Sequence, residues 1–301
     1  MDKSALLAEI GRLKAGRRAV ILAHNYQVAE VQDAADFVGD SLELSQKAAV
    51  TEAEVIVFCG VHFMAETAAI LSPRKTVLLP ESAAGCPMAD MIGADELRQW
   101  KARYPGRKVV CYVNTSAEVK AESDVCCTSS NVLRVVESIP DQEILMVPDK
   151  NLADFAARRT TKTIIPWDGY CYVHNNIQAA DVERSRALHP GAEVWAHPEC
   201  RPEVIDLADK ALSTGQMIRE ARLTPRTEIL LATERGIIHR LKKENPDKDF
   251  YPVKEAALCL NMKKTTLPKV LLALEKNQSV VTVPPDVARR ARGAIEKMIA
   301  L

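Results

Sequence analysis

A repeat of about 86 residues limits the folds open to this chain more than any other feature of its 301-residue sequence. Three segments each run from a lysine through an apolar stretch and a proline to a cysteine. They are KTVLLPESAAGC, KTIIPWDGYC and KDFYPVKEAALC, which begin at Lys75, Lys162 and Lys248. Their prolines, Pro80, Pro166 and Pro252, are 86 residues apart, and their cysteines, Cys86, Cys171 and Cys259, are 85 and 88 residues apart. Self-similarity at a fixed period indicates several small units that pack together.

Short apolar runs and helical stretches alternate within each unit. Nine runs are predicted to be strands: Ala19–Leu22, Val55–Phe58, Thr76–Leu79, Val109–Val113, Ile144–Val147, Thr163–Ile165, Glu193–Ala196, Ile229–Ala232 and Asp249–Tyr251. Helical periodicity lies between them at Ala34–Ala49, Ala65–Leu71, Asn131–Ser138 and Val204–Ala211. Strands that are apolar throughout and alternate with helices are typical of parallel sheets buried on both faces. We therefore predict three related α/β units, each with a short, mainly parallel sheet between helices.

The repeat also predicts where the units begin and end. The first unit covers residues 1–84 together with 260–301, the second covers 85–169 and the third covers 170–259. We expect segment 267–301 to pack back onto the first unit, to complete its sheet and to end in an amphipathic helix from Asp286 to Leu301. Because each unit is too small to bury its faces alone, the three should pack together.

Composition narrows the class of protein. Lys and Arg total 40, as do Asp and Glu, so the chain lacks the basic excess that is typical of a nucleic-acid binder. No apolar run approaches the ~18 residues of a membrane span, and the charged N-terminal pattern lacks the apolar centre of a signal peptide. We therefore expect a cytoplasmic protein. There, the eight cysteines are expected to be metal ligands, reactive thiols or small core residues rather than disulfides.

Three of the cysteines share the phase of the repeat. Cys86, Cys171 and Cys259 each follow a third strand, and function in parallel sheets collects at the carboxyl ends of strands. Soft thiolates that converge select zinc, copper(I) or iron–sulfur. Three ligands on a four-iron cluster would leave one iron open to bind substrate oxygens as a Lewis acid. The remaining cysteines are interpreted as small core residues, although Cys200 could approach the site; they are Cys59, Cys111, Cys126, Cys127 and Cys200.

Acid–base groups lie at the ends of the first strands. They are His24 and Tyr26 in the first unit, Tyr112 and Asn114 in the second, and His197 and Glu199 in the third. Imidazoles titrate near neutral pH and suit proton transfer. Spacings of 90 and 83 residues lead us to align His24, Asn114 and His197 as matched positions. His174 is a further candidate because it follows Cys171 by three residues, whereas His62, His189 and His239 fit structural roles.

Hydroxyl groups recur 15 to 17 residues after each first-strand end. They are Ser41, Ser129, and the pair Ser213 and Thr214. A hydroxyl at the start of a helix can bind an anion together with the backbone N–H groups there, although plain helix capping explains any one of them. Three in phase, beside imidazoles, indicate a ligand that carries several carboxylate or phosphate groups.

Nine segments resemble the quinolinate synthase family over almost the whole chain. They are AHNYQ (23–27), GDSLELS (39–45), ESAAGCPMADM (81–91), YVNTSAEVKAESDVCCTSSN (112–131), WDGYCYVHNNI (167–177), HPEC (197–200), STGQM (213–217), TERGIIHRL (233–241) and CLNMKKTTL (259–267). The resemblance implies a triangle of three homologous α/β domains around a central [4Fe-4S] cluster. Its cysteine ligands match Cys86, Cys171 and Cys259, and its fourth iron binds substrate.

The resemblance also implies a reaction and the residues that carry it. The family, a group of transferases, condenses iminoaspartate with dihydroxyacetone phosphate and releases quinolinate, phosphate and two waters in de novo NAD biosynthesis. Its catalytic residues match Tyr26, His24, His197, Glu199 and His174. Its substrate-binding residues match His24, Ser41, Tyr112, Asn114, Ser129, His197, Glu199, Ser213 and Thr214. An L-aspartate oxidase, the usual source of iminoaspartate, would be a functional partner.

Three other classes of protein share some of these features. An iron–sulfur hydro-lyase for a small polycarboxylic acid would use the same open iron, but it would not depend on a triose phosphate. An electron carrier or redox sensor would not need the His, Tyr, Glu and Ser side chains at the strand ends. A structural zinc protein would contain zinc rather than iron after anaerobic purification.

Overall fold

The computed structural model describes residues 2–301, and in this range twelve strands form three four-stranded sheets. The strands are β1 (Ala19–His24), β2 (Phe37–Gly39), β3 (Val55–Cys59), β4 (Thr76–Leu78), β5 (Lys108–Tyr112), β6 (Val125–Cys127), β7 (Glu143–Val147), β8 (Thr163–Pro166), β9 (Glu193–Ala196), β10 (Lys210–Ala211), β11 (Glu228–Ala232) and β12 (Asp249–Pro252). Every predicted strand is present within one or two residues of its predicted ends.

Fifteen α-helices and two short 3₁₀ turns complete the described range. The helices are α1 (Lys3–Gly16), α2 (Ala29–Ala34), α3 (Ser41–Val50), α4 (His62–Leu71), α5 (Ala94–Arg103), α6 (Ala117–Ala121), α7 (Val132–Ser138), α8 (Lys150–Ala157), α9 (Tyr172–Asn175), α10 (Ala179–Leu188), α11 (Pro202–Leu207), α12 (Thr214–Leu223), α13 (Ile237–Glu244), α14 (Leu267–Lys276) and α15 (Pro285–Ala300). The 3₁₀ turns are Ala89–Met91 and Met262–Lys264. Between residues 2 and 301, no helix has both the length and the apolar character needed to cross a membrane.

The three sheets share one topology. Their strand orders are β2-β1-β3-β4, β6-β5-β7-β8 and β10-β9-β11-β12, and each pairing between named strands is parallel. The predicted fold class, three related α/β units with parallel sheets, is therefore confirmed. The residue boundaries proposed for the units stay a prediction.

The edge strands β2, β6 and β10 were not predicted, and two predicted helices were wrong at these places. The helix predicted over 34–49 is interrupted, because α2 ends at Ala34 and β2 precedes α3. The helix predicted over 204–211 ends at Leu207, before β10. A strand of two or three residues is too short to show an alternation of apolar and polar side chains, so the pattern could not separate it from its helical neighbours.

An aspartate before each of the edge strands β2, β6 and β10 ties it to the first strand of the same sheet. A carboxylate oxygen of Asp36 accepts from Ile21 N at 2.8 Å, Asp124 accepts from Val109 N at 2.9 Å, and Asp209 accepts from Val194 N at 2.7 Å. The three bonds span the same sequence distance of 15 residues. They lie near the amino ends of the strands, at the opposite end of each sheet from the predicted site.

The sheets are buried between helices, as their apolar strands require. Alternate residues of β3 face different cores: Ile56 and Phe58 join a large core that includes residues of all three sheets, whereas Val55 and Val57 join a smaller core with residues of α1 and α14. This is the two-residue period of a strand. Because the large core is continuous, it holds the three sheets in fixed positions relative to each other.

The C-terminal segment differs from its prediction in one respect. Helix α14 packs against α1 and β3 of the first sheet. Helix α15, the predicted amphipathic helix, packs mainly against α6 and β6 of the second sheet. The expectation that segment 267–301 completes the first sheet was wrong, because it contributes one isolated antiparallel bridge, from Val280 to Leu78, and no named strand within the described chain.

Candidate active site

One pocket lies where the carboxyl ends of the three sheets meet. It contains every predicted site residue except Ser213: His24, Tyr26, Ser41, Cys86, Tyr112, Asn114, Ser129, Cys171, His174, His197, Glu199, Thr214 and Cys259. The histidines predicted to be structural, His62, His189 and His239, are not among its lining residues.

The strand registers correct our alignment of the first-strand ends. In the three sheets, Ala23 pairs with Cys59, Cys111 with Val147, and Ala196 with Ala232. The next residues are therefore equivalent, and they are His24, Tyr112 and His197. Asn114, which we had aligned with the histidines, is equivalent to Tyr26 and Glu199 instead. The error arose because sequence spacing alone did not include the pairing with the neighbouring strand.

His24 and His197 are held in the same tautomer by the same local bond. The backbone N–H of Tyr26 donates to Nδ1 of His24 at 3.1 Å, and that of Glu199 donates to Nδ1 of His197 at 3.2 Å. An imidazole whose Nδ1 accepts a hydrogen bond carries its proton on Nε2 when neutral. Burial lowers the pKa of His24 to about 4 and that of His197 to about 3. Both side chains are therefore neutral Nε2–H donors near pH 7.

These two histidines predict how stability depends on pH. As the pH falls below the ordinary histidine pKa of 6.5, the unfolded chain binds protons that the folded chain does not accept until about 4 for His24 and about 3 for His197. The unfolded state binds more protons, so the free energy of unfolding should fall by about 2 kcal/mol per histidine at pH 5. Urea unfolding at pH 7 and pH 5 measures this. His197→Gln should lose about half of the difference, and an unchanged pH dependence would contradict the assignment.

A chain of hydrogen bonds joins Tyr26 to Glu199. The Tyr26 hydroxyl lies 2.6 Å from Thr233 Oγ1, which lies 3.0 Å from Nε2 of His174. Nδ1 of His174 lies 2.5 Å from Oε2 of Glu199. Thr233 follows β11 and is fully buried. Thr233 was not among the predicted site residues, because a threonine after a strand carries no signal of its own.

The protonation states in this chain differ between its two ends. Burial raises the pKa of Glu199, but the electrostatic interactions with His174 and His197 and the hydrogen bonds to Glu199 outweigh burial and hold that pKa at about 2. Burial and the nearby charge of Glu199 raise the pKa of Tyr26 well above its ordinary value. At neutral pH the chain therefore has a carboxylate at one end and a protonated phenol at the other.

Cys171, His174 and Glu199 place one donor atom each within 4.8 Å of one another, a spacing that can hold a metal ion. Nδ1 of His174 and Oε2 of Glu199 are 2.5 Å apart. Two ligands of one tetrahedral zinc ion, with bonds of about 2.0 Å, lie about 3.3 Å apart. The separation found here is that of a charge-assisted hydrogen bond, so we interpret the pair as part of the proton chain.

Helix starts from different sheets meet at one side of the pocket. Asp40 caps α3 and Ser213 caps α12 with their side-chain oxygens. Ser130 joins the two, with its Oγ 2.5 Å from Asp40 Oδ2 and 2.6 Å from Ser213 Oγ. The Ser213 hydroxyl is thus used in this junction and lies outside the pocket lining, whereas Ser41, Ser129 and Thr214 line it.

The three in-phase cysteines differ from the other five in exposure and place. Cys86, Cys171 and Cys259 are partly exposed and line the pocket. The other five are buried free thiols and are not among the lining residues: Cys59, Cys111, Cys126, Cys127 and Cys200. Each sheet thus contributes one accessible thiol to the same cavity.

Each of these cysteines begins a helical turn. The carbonyl of Cys86 accepts from Asp90 N at 3.2 Å, that of Cys171 from Asn175 N at 2.9 Å, and that of Cys259 from Lys263 N at 3.3 Å. Burial raises the pKa of Cys86 to about 12, and the N–H groups of Ala89 and Met88 oppose this rise. Burial likewise raises the pKa of the other two thiols, and backbone N–H groups of their own turns oppose it.

The Cys171 loop requires a glycine at position 169. A Cβ there would lie 2.4 Å from the backbone oxygen of Pro148, which is closer than real Cβ contacts. Gly169→Ala should therefore lower the free energy of unfolding by about 1–3 kcal/mol, because the loop must move away from the second sheet. Urea unfolding of the metal-free chain measures the change. Gly191→Ala, where a Cβ meets nothing within 4 Å, is the matched control, and equal stability of the two variants would refute this packing argument.

Two polar atoms of the pocket residues are buried without a partner. Asn114 Oδ1 and Glu199 Oε1 have no hydrogen bond to any residue of the described chain. Buried oxygens of this kind are nearly always satisfied, by protein, water or ligand. The lining formed by residues 2–301 includes the carboxyl groups of Asp40, Glu199 and Glu234, but no lysine or arginine. An anionic ligand must therefore be held by hydroxyls, imidazoles and backbone amides, or by a bound cation.

Comparison with known proteins identifies one family. A family described as quinolinate synthetase A protein matches residues 8–300. The chain is 58% identical to the quinolinate synthase of Dehalococcoides mccartyi strain CBDB1 over 299 residues, which is 99% of both chains. It is 56% identical to the quinolinate synthase of Methanoregula boonei over 302 residues, 100% of both, and 55% identical to that of Thermodesulfovibrio yellowstonii over 294 residues, 97% of both.

Proposed function

The chain belongs to the quinolinate synthetase A protein family, and we propose that it makes quinolinate for NAD biosynthesis at this pocket. Its substrates would be iminoaspartate and dihydroxyacetone phosphate, and its products quinolinate, phosphate and two waters. One observation carries the assignment of the site: a partly exposed cysteine from each of the three sheets lines the cavity that also holds His24, Glu199 and the helix-start hydroxyls.

The cysteines suit a [4Fe-4S] cluster that has three protein ligands. Cys86, Cys171 and Cys259 are soft donors on three separate loops, and burial keeps their thiols protonated in the absence of a cation. Iron would replace those protons, and the N–H groups of the following turns would stabilise the thiolates. When bound, the cluster supplies an iron without a protein ligand, which acts as a Lewis acid toward substrate oxygens.

Polar side chains of the pocket lining bind the parts of the substrates that do not contact the cluster. Ser41, Ser129 and Thr214 present hydroxyls, with backbone N–H groups at helix starts, to the carboxylate and phosphate oxygens of the substrates. Asn114 adds an amide to these hydroxyls, and its buried Oδ1 accepts from a substrate N–H or O–H. This arrangement binds anions without the lysine and arginine side chains that phosphate sites often use.

Proton movement follows the hydrogen bonds of the pocket. When His174 is neutral, its Nδ1–H donates to Glu199, so its Nε2 accepts from Thr233, which in turn accepts from the Tyr26 hydroxyl. The chain can return a proton from Glu199 to Tyr26 after Tyr26 has given its proton to the substrate and Glu199 has taken one from it. Tyr26 then acts as an acid, and Glu199 Oε1, which has no partner in the described chain, acts as the base. His24 and His197 donate from Nε2 to oxygens that gain charge during dehydration and cyclisation.

Product analysis under anaerobic conditions tests the proposal. The chain, reconstituted with iron and sulfide, is given dihydroxyacetone phosphate and iminoaspartate generated from L-aspartate by an L-aspartate oxidase, the functional partner we propose. Quinolinate and phosphate should form in equal amounts, and neither should form without the triose phosphate. Turnover of a polycarboxylic acid without phosphate release would favour a hydro-lyase. Zinc in place of iron in the purified chain would favour a structural metal protein.

A further inference from the structure

The three cysteine loops share one backbone attachment. The carbonyl two residues before each cysteine accepts a hydrogen bond from the backbone N–H of the residue three positions after the end of the second strand. The pairs are Ala84 O with His62 N at 2.8 Å, Gly169 O with Lys150 N at 2.8 Å, and Ala257 O with Arg235 N at 3.0 Å. This bond fixes the position of each loop two residues before its cysteine, but it does not hold the cysteine itself.

A second attachment is present in two of the three loops. The residue just before the shared donor is Val61 in the first unit, Asp149 in the second and Glu234 in the third. Asp149 Oδ2 accepts from Cys171 N at 3.2 Å, and Glu234 Oε1 accepts from Cys259 N at 3.1 Å. Val61 has no side-chain acceptor, so Cys86 lacks this bond.

Both carboxyl groups are fully buried and fixed by further bonds. Asp149 Oδ1 accepts from the N–H groups of Asn151 and Leu152 at the start of α8, at 2.8 and 2.9 Å. Glu234 Oε2 accepts from Gly236 N at 2.6 Å, and Lys263 Nζ lies 2.8 Å from Glu234 Oε1. Each carboxyl group thus joins the end of a second strand, the start of the next helix and the backbone of a cysteine.

We propose that Asp149 and Glu234 are positioning residues that hold Cys171 and Cys259 in place for the cluster, an inference that rests on the proposed function. Buried carboxyl groups are costly unless their oxygens are satisfied, and here the cysteine N–H supplies one of the bonds. Groups that orient metal ligands typically change metal affinity by about 10–100-fold when they are replaced.

Asp149→Asn and Glu234→Gln test this with little change of shape. Each substitution replaces one carboxyl oxygen with an NH₂ group and leaves a single acceptor oxygen. That oxygen cannot accept from the cysteine N–H and also keep the bonds that the other carboxyl oxygen makes to the start of the helix. Asp124→Asn is the matched control, because Asp124 also accepts a backbone N–H in the second sheet but lies at the other end of the strands. The measurements are iron and sulfide per chain after anaerobic reconstitution, the rate of iron release to a chelator, and the electron paramagnetic resonance spectrum of the reduced cluster.

We expect iron release about 10–100-fold faster in Asp149→Asn and Glu234→Gln, with an altered spectrum, and the parent rate in Asp124→Asn. A parent chain that takes up no iron would refute the proposed function. A parent with a full cluster, together with parent release rates and spectra in both variants, would overturn only this inference, as would equal iron loss in the control. Circular dichroism verifies folding, and if Asp149→Asn does not fold, Glu234→Gln decides alone.

Discussion

Glu199→Gln is expected to keep the cluster and to lower turnover by about 10²–10⁴-fold, the usual contribution of a general base or acid. The substitution preserves the volume of a side chain that is buried beside His174 and His197. It removes the carboxylate that accepts from Nδ1–H of His174. The site then lacks the base that takes a proton from the substrate and passes it toward Tyr26. The measurements are quinolinate formed per cluster and iron per chain.

The control for this variant is Glu203→Gln. Glu203 lies four residues further along the chain, is paired with Arg201, and is about half exposed. Its substitution should leave both turnover and iron content at the parent values. Normal turnover in Glu199→Gln would remove Glu199 from the proton chain, and loss of iron in that variant would mean that it supports the cluster instead.

Cys86→Ser is expected to lose iron and turnover together. A serine hydroxyl is a hard donor with a high pKa and does not replace a thiolate on iron. Because Cys86 is partly exposed at the pocket wall, the metal-free variant should fold like the parent. Iron and sulfide analysis, the visible absorption of the cluster and circular dichroism measure these three outcomes.

Cys200→Ser provides the comparison for the cysteine ligands. Cys200 is buried, lies outside the pocket lining and donates through sulfur to the carbonyl of Ala232 at 3.2 Å, a bond that a serine hydroxyl can also make. It should keep its iron and its activity. Full cluster content and normal turnover in Cys86→Ser, or loss of the cluster in Cys200→Ser, would overturn the choice of ligands.

The sequence predicted the parts of this fold that repeat strongly. Three of the four strands in each sheet are apolar over three or more residues and were found, and the cysteines stood out because they share a phase. The edge strands β2, β6 and β10 were missed, because two or three residues do not show a period. Their positions depend on the aspartates that bond to the first strands, a tertiary effect that composition does not show.

Some residues of the candidate site were predicted from the sequence and others were missed, for similar reasons. Histidine, cysteine and glutamate at strand ends drew notice because their chemistry is distinctive. Thr233, Asp149 and Glu234 did not, because a polar residue after a strand is ordinary and their importance comes from partners on other loops. A register comparison of the second strands, which places Asp149 and Glu234 at one position, would have found two of the three.

The equivalence of His24, Tyr112 and His197 bears on how such a site could arise. A ring of three separate, identical subunits would carry the same side chain at all three positions, and every mutation would change all of them at once. Joining the copies in one polypeptide frees each to vary alone. The shared backbone has kept its symmetry while the side chains have diverged, a descent that gene duplication and fusion readily explain.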